Sequence, residues 1–299
     1  MLGTVLRGEP SLKRQCNSLR HDLLPGYTRV SNSDKMPAMK IRKHATLGFG
    51  SGLFYSVIMW AGVAVLTVFF STLDLLVMLP LSLLVDGGTR RLVHRISVLW
   101  ARGIIAWNPL WRLAVTGGQN VQKGKKYIVV ANHQSLLDIL AVAAALPLNF
   151  KFLAKKELFY VPFMGWAMAC AGYVPVDRSS HESGKKAVHR IGGLLKKGLS
   201  VLLFPEGTRS PDGKIHAFKM GAFKIARENR VEILPVVIDG TGTALPKKSV
   251  FLRKRSTFVV SIGRPVSLEN LSDHSLEETK EKIRHEMIGR LARIRHKES

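Results

Sequence analysis

The chain has 299 residues, 46% of them hydrophobic, enough for a sizeable core, which excludes disorder throughout. Its 45 Lys and Arg against 21 Asp and Glu leave a formal net charge of +24, which favours an anionic partner: a membrane surface, a phosphorylated substrate or nucleic acid. The two cysteines, Cys16 and Cys170, lie far apart in unlike contexts, which argues against a disulfide framework or a thiolate metal site and fits a reducing compartment.

Residues 1–46 are polar, basic and turn-rich without sustained periodicity, and read as a disordered leader. They do not resemble a secretory signal, because the apolar segment comes too late. Residues 47–89 read as a membrane-associated helical segment. No charge falls between Leu53 and Leu73, and about 20 such residues span a hydrocarbon core of roughly 30 Å. Asp74 interrupts, and a second apolar run containing Pro80 ends at Val85. Basic residues flank both sides, Lys40, Arg42 and Lys43 before and Arg90, Arg91 and Arg95 after. If both flanks stay on the cytoplasmic side, the segment is a hairpin dipping into one leaflet; a single crossing is the rival. Arg102 and Arg112 then interleave with Trp100, Trp107 and Trp111, a composition suited to the headgroup region.

Residues 90–299 read as one α/β domain. Strands are expected at Leu113–Thr116, Tyr127–Ala131, Phe150–Ala154, Gly172–Val176, Ser200–Phe204, Ile233–Ile238 and Phe258–Ile262. Helices are expected between them, and a terminal helix carries Leu276, Ile283, Met287, Leu291 and Ile294 on one face. This alternation predicts a mainly parallel sheet flanked by helices.

The most informative stretch is Asn132-His133-Gln134-Ser135-Leu136-Leu137-Asp138. A strand delivers His133 to a sheet edge and a helix follows, with Ser135 as the expected N-cap and Asp138 three residues on, as in a capping box. A carboxylate in that first turn can reach back to one imidazole nitrogen and leave the other facing a substrate. Imidazole titrates near neutrality and can take a proton from an alcohol, and a bonded Asp fixes its tautomer. No G-x-S-x-G elbow supplies a nucleophile, so the pair reads as a base for the substrate's own hydroxyl.

A second stretch is Phe204-Pro205-Glu206-Gly207-Thr208-Arg209, directly after a strand. Gly207 lets backbone amides approach a ligand, Thr208 adds a hydroxyl, and Arg209 suits bidentate phosphate binding. Glu206 is placed to pair with Arg209 or to accept from a substrate hydroxyl. Lys155 and Arg178 also follow strands, so three cations are expected near His133 at the sheet edge where open α/β sheets bind ligands. That convergence points to a phosphate on the substrate. No cluster with metal-ligand spacing and no recognised nucleic-acid motif is present in the sequence.

Together these blocks resemble the lysophosphatidic acid acyltransferase family, the 1-acylglycerol-3-phosphate O-acyltransferases. Asn132-His133-x4-Asp138, Lys155 through Arg178 with Pro162 and Gly165, Phe204 through Arg209, and Ile233 through Ile238 with Pro235 occur in the family's order. The basic leader and the Lys247-Lys248 and Arg253-Lys254-Arg255 clusters fall outside it. The resemblance implies transfer of a fatty acyl group from acyl-CoA or acyl carrier protein to the sn-2 hydroxyl of 1-acylglycerol 3-phosphate. It makes His133 the base and Asp138 its orienter. Glu206, Gly207, Thr208 and Arg209 would bind the acceptor, with help from Lys155 and Arg178. It requires no metal or cofactor, and it puts the catalytic domain at the cytoplasmic face of an anionic membrane. The alternatives are a related acyltransferase using glycerol 3-phosphate or a lyso-ornithine lipid, and a non-catalytic membrane-anchored basic protein.

Overall fold

The structure is a computed structural model that describes residues 27–29, 49–177, 180–252 and 255–296. Eight strands form one sheet: β1 (Tyr27–Arg29), β2 (Trp111–Thr116), β3 (Ile128–Ala131), β4 (Phe150–Lys155), β5 (Val174–Val176), β6 (Ser200–Leu203), β7 (Ile233–Asp239) and β8 (Ser256–Ile262). Their order is β1-β2-β8-β7-β3-β6-β4-β5, and every neighbouring pair is parallel except β7 with β8. The seven expected strands are all present. Most of the leader lies outside the described residues, but Tyr27–Arg29 within it pairs in parallel with Leu113–Val115.

β3 sits between β7 and β6 and is buried along its whole length, as its uninterrupted apolar run requires when helices cover both faces. Alternate residues serve different cores. Val129 and Ala131 join Ala101, Ile104, Leu140 and Phe258 on one face. Ile128 and Val130 join Ile191, Phe223 and the C-terminal helix on the other. That helix, Asp273–His296, buries Leu276, Ile283, Met287, Leu291 and Ile294, the face expected from the sequence.

The membrane-associated hairpin has different arms from those expected. Helix α1 (Phe49–Leu73) does not stop at Asp74. A π-helical turn, Asp74–Met78, carries it into α2 (Leu79–Val85), so both apolar runs form one continuous rod. Pro80 has no N–H and its ring would crowd the carbonyl four residues back; the wider π turn just before it relieves both problems. The chain reverses at Asp86–Arg90, where the Asp86 carboxylate accepts the N–H groups of Arg90 and Arg91. The returning arm is α3 (Arg91–Trp107), inside the region the sequence assigns to the α/β domain. Trp100 Nε1 donates to Thr67 Oγ1 at 3.1 Å, and the Trp107 ring lies against Gly62, so the arms run antiparallel. Any side chain at Gly62 would meet that ring, with a Cβ 2.1 Å from its Nε1. Gly52–Val85 is long and apolar enough to cross a membrane, and its outer face exposes Phe54, Val65, Phe69 and Leu84.

Candidate active site

β3 runs out at Ala131, and both neighbouring strands hold the residues that follow it. Asn132 continues the ladder with its side chain: Oδ1 accepts the Ile238 N–H at 2.8 Å and Nδ2 donates to the Ile238 carbonyl at 2.9 Å. The loop after β6 clamps the backbone of His133 on its other side. The His133 N–H donates to Glu206 Oε1 at 3.0 Å, and its carbonyl accepts the Ser210 N–H at 2.7 Å. The imidazole stacks on Phe204, with ring centroids 4.0 Å apart and planes 18° from parallel. The ring is therefore held by a face, a strand end and a loop before Asp138 is considered.

Asp138 opens helix α4 (Asp138–Ala145) and is fully buried. Its Oδ2 accepts from His133 Nδ1 at 2.7 Å, from the Gln134 N–H at 2.6 Å and from the Ser135 N–H at 2.9 Å. Its Oδ1 accepts from the Thr241 hydroxyl. The carboxylate reaches back as expected, but Ser135 is not the N-cap. A turn over Leu136 and Leu137 precedes the helix, and Ser135 Oγ donates to the Leu245 carbonyl at 2.8 Å instead. Because the carboxylate can only accept, Nδ1 carries the proton and Nε2 presents a lone pair. Nε2 has no hydrogen-bond partner among the described residues. An imidazole held in this way can act chemically as a general base.

The remaining expected site residues are distributed unevenly. Gly207 takes φ +75°, a conformation that favours glycine, and a Cβ there would sit 3.0 Å from Lys219 Nζ. Thr208 is exposed and Arg209 half-buried in the same loop. Lys155 ends β4 at the same sheet edge, two strands from β3 or about 10 Å across. Its ammonium pairs with Glu157 at 3.2 Å on the surface. Arg178 lies outside the described residues. Of the three expected cations, Lys155 ends a strand and Arg209 follows one at this sheet edge. Two other lysines approach the Gly207 loop: Lys219, and Lys247, whose Nζ donates to the Arg209 carbonyl at 2.8 Å. Neither contact has a local sequence signature. No group of three His, Cys, Asp or Glu among the described residues could hold a metal ion.

Glu206 is engaged differently from the sequence reading. Its two oxygens accept the backbone N–H groups of His133, at 3.0 Å, and His216, at 3.1 Å. Burial raises its pKa above the ordinary 4.5, and the two backbone hydrogen bonds oppose that shift. The native carboxyl holds its proton to a higher pH than the unfolded one. Between those two values the native state binds more protons, so stability falls as pH rises through that window. Glu206→Gln should remove this slope. It should also cost about 1–3 kcal/mol above the window, because the amide turns an N–H toward one of the two backbone donors. Urea denaturation at a series of pH values checks both, and an unchanged slope would show that Glu206 is not the group responsible.

One segment joins these parts. Leu245 accepts from Ser135, Lys247 holds the Arg209 loop, the Val250 carbonyl accepts Trp60 Nε1 at 2.7 Å, and the Leu252 N–H donates to Ser56 Oγ at 3.0 Å. The His133 loop, the Gly207 loop and membrane helix α1 are all tied to residues 245–252.

Residues 112–239 match the protein family described as Acyltransferase. The chain is 36% identical over 216 residues to a chloroplastic 1-acyl-sn-glycerol-3-phosphate acyltransferase of Arabidopsis thaliana, covering 72% of this chain and 58% of that protein. It is 39% identical over 184 residues to a 1-acyl-sn-glycerol-3-phosphate acyltransferase of Saccharomyces cerevisiae, covering 60% of each. The chain thus spans about three fifths of the length of these two relatives. The crystal structure of a 1-acyl-sn-glycerophosphate acyltransferase from Thermotoga maritima superposes with a TM-score of 0.68 at 28% identity, covering 81% of this chain and 96% of that one. Residues 112–239 thus carry an Acyltransferase domain, and the chain is similar in sequence and in fold to 1-acyl-sn-glycerol-3-phosphate acyltransferases.

Proposed function

We propose that the protein transfers a fatty acyl group from an acyl thioester to the sn-2 hydroxyl of 1-acylglycerol 3-phosphate, giving phosphatidic acid. The observation that carries this reading is the buried His133–Asp138 pair with Nε2 left open. Nε2 takes the hydroxyl proton as the alcohol oxygen attacks the thioester carbonyl. The C–S bond of the tetrahedral intermediate then breaks, and the imidazolium returns its proton to the leaving thiolate. Asp138 stabilises the imidazolium between these steps. Glu206 is a positioning residue, holding the backbone of His133.

An apolar cavity of about 250 Å³ supports an acyl substrate. It is lined by Leu136 and Leu137, between His133 and Asp138, and continues against Val63, Phe70, Trp100 and Met168. Such a cleft, with few polar groups, suits a hydrocarbon chain. The Gly207–Arg209 loop takes the acceptor phosphate, with Lys155 at the end of β4 on the same sheet edge; Arg178 is assigned to the acceptor by the sequence resemblance alone. The hairpin rests in one leaflet with the catalytic domain on its cytoplasmic side, where +24 of net charge meets anionic lipid.

Purified protein, lysophosphatidic acid and labelled acyl-CoA should yield labelled phosphatidic acid. Acyl carrier protein in place of coenzyme A tests the donor, and glycerol 3-phosphate or a lyso-ornithine lipid tests the acceptor. Transfer to either rival with none to lysophosphatidic acid would overturn the assignment. Arg209→Ala should raise KM for the lysolipid about tenfold or more with a smaller effect on kcat, because a charged hydrogen bond to phosphate is lost. An unchanged KM would remove Arg209 from the acceptor site.

A further inference from the structure

A second cavity, this one charged, lies away from His133. Its volume is about 480 Å³, and it is framed by β4, β5, the chain entering β6, helix α5 (His181–Lys196) and the hairpin reversal at Gly88 and Arg90. Four cationic side chains line it, Arg90, Lys151, Arg190 and Lys197, and none of its lining residues is Asp or Glu. Neither Arg190 nor Lys197 makes an ion pair with a carboxylate among the described residues.

Lys151 is the unusual member. It sits inside β4 between two core phenylalanines and is only 1% exposed. A buried ammonium is costly unless an opposite charge or several acceptors meet it. Its partner is the Asn149 side-chain oxygen at 3.2 Å, and Arg90 is beside it. Burial, reinforced by Arg90, draws its pKa down to about 7, with Asp86 acting weakly the other way. The Asp86 carboxylate is itself engaged by the backbone N–H groups of Arg90, Arg91 and Leu92. Arg90 takes φ +54°, which is uncommon for a side chain of that size, and its guanidinium donates to the Cys170 carbonyl at 3.0 Å. The cluster is built, and no anion from the protein's own side chains fills it.

The surroundings point to an amphipathic ligand. Leu83, Leu84 and Val85 immediately precede the reversal and are exposed, Leu84 by 83%. Tyr160, next to the lining residue Phe159, and Trp166, three residues before the lining residue Ala169 on one helix, are exposed and add aromatic rings of the kind found at membrane interfaces. Apolar ledges flank a cationic hollow, and one molecule that satisfies both is a phospholipid with a negatively charged headgroup.

This is not the acceptor site. Lys151 is level with Val201, and Val201 with Ile128. His133 is five residues beyond Ile128 in the same direction, or about 17 Å along the strands. We propose that the cavity holds the headgroup phosphate of an anionic phospholipid that is neither acceptor nor product, and that this contact seats the hairpin end of the protein on an anionic leaflet. Binding at this cavity does not depend on the acyl-transfer reading; only its separation from the acceptor path, tested by KM, rests on that reading.

The test uses the full chain in phosphatidylcholine nanodiscs, titrated calorimetrically with dihexanoyl-phosphatidylglycerol, dihexanoyl-phosphatidylcholine and inorganic phosphate. Phosphatidylglycerol should bind and phosphatidylcholine should not. Lys151→Met and Arg190→Gln should each weaken phosphatidylglycerol binding about tenfold or more. KM for lysophosphatidic acid should stay at the wild-type value in both. Arg190 is exposed on α5, so its variant carries the test even if Lys151→Met does not fold. Undiminished binding in Arg190→Gln overturns the proposal. Inorganic phosphate binding as tightly as the lipid would make this a free-phosphate site, and a raised KM would make it part of the acceptor path; either result also overturns it.

Discussion

His133→Ala is expected to lower kcat for acyl transfer by at least about a hundredfold while lysolipid binding persists. The imidazole is the group in the His133–Asp138 pair with a nitrogen left open for the substrate alcohol, since Asp138 is buried and has all its contacts inside the protein. A positioned general base contributes roughly 10²–10⁴ in rate, or about 3–5 kcal/mol of barrier. The backbone of residue 133 stays clamped by Glu206 and Ser210 whatever the side chain, so the fold and the acceptor loop should survive. Initial rates with labelled acyl-CoA, beside a lysolipid binding measurement, separate the two effects. A variant with wild-type turnover would end the base assignment, and one that neither turns over nor binds would point to a structural role.

Asp138→Ala is expected to damage two properties together. Turnover should fall by about a hundredfold or more, because the imidazole loses its orienter and its imidazolium loses a counter-charge. Stability should fall by at least about 3 kcal/mol, because the Gln134 and Ser135 N–H groups are left unpaired in a fully buried site. Asp138→Asn distinguishes these roles. An amide oxygen can still face the three N–H donors while the amide nitrogen donates to Thr241, so most stability should return. The negative charge does not, and turnover should stay low. Urea denaturation and initial rates on both variants check this; recovery of both properties in Asp138→Asn would show that the charge itself is dispensable.

Much of the fold follows from local pattern. The largely apolar runs at 127–131, 200–204 and 233–238 are strands because burial on both faces demands near-continuous apolar sequence. His133 and Asp138 were legible for a similar reason: their contact spans five residues and one turn. The returning arm of the hairpin was hidden because Arg91, Arg95 and Arg102 break the apolar run of residues 91–107, although one face of that helix packs against α1. Ser135 has the composition of an N-cap, but the Leu245 carbonyl, distant in sequence, draws its hydroxyl away. Thr241 and Lys247 reach the site across about a hundred and about forty residues respectively, and no spacing rule anticipates either contact.

The segment from Leu245 to Leu252 is fastened at four points, to the His133 loop, the Arg209 loop, Trp60 and Ser56. Its contour length is therefore constrained at both ends. Adding or removing one residue shifts the downstream fastenings by about 3.4 Å, more than a hydrogen bond tolerates. Substitutions that keep the backbone path can be absorbed there, whereas a change of length forces the chain to give up either the membrane helix or one of the two loops.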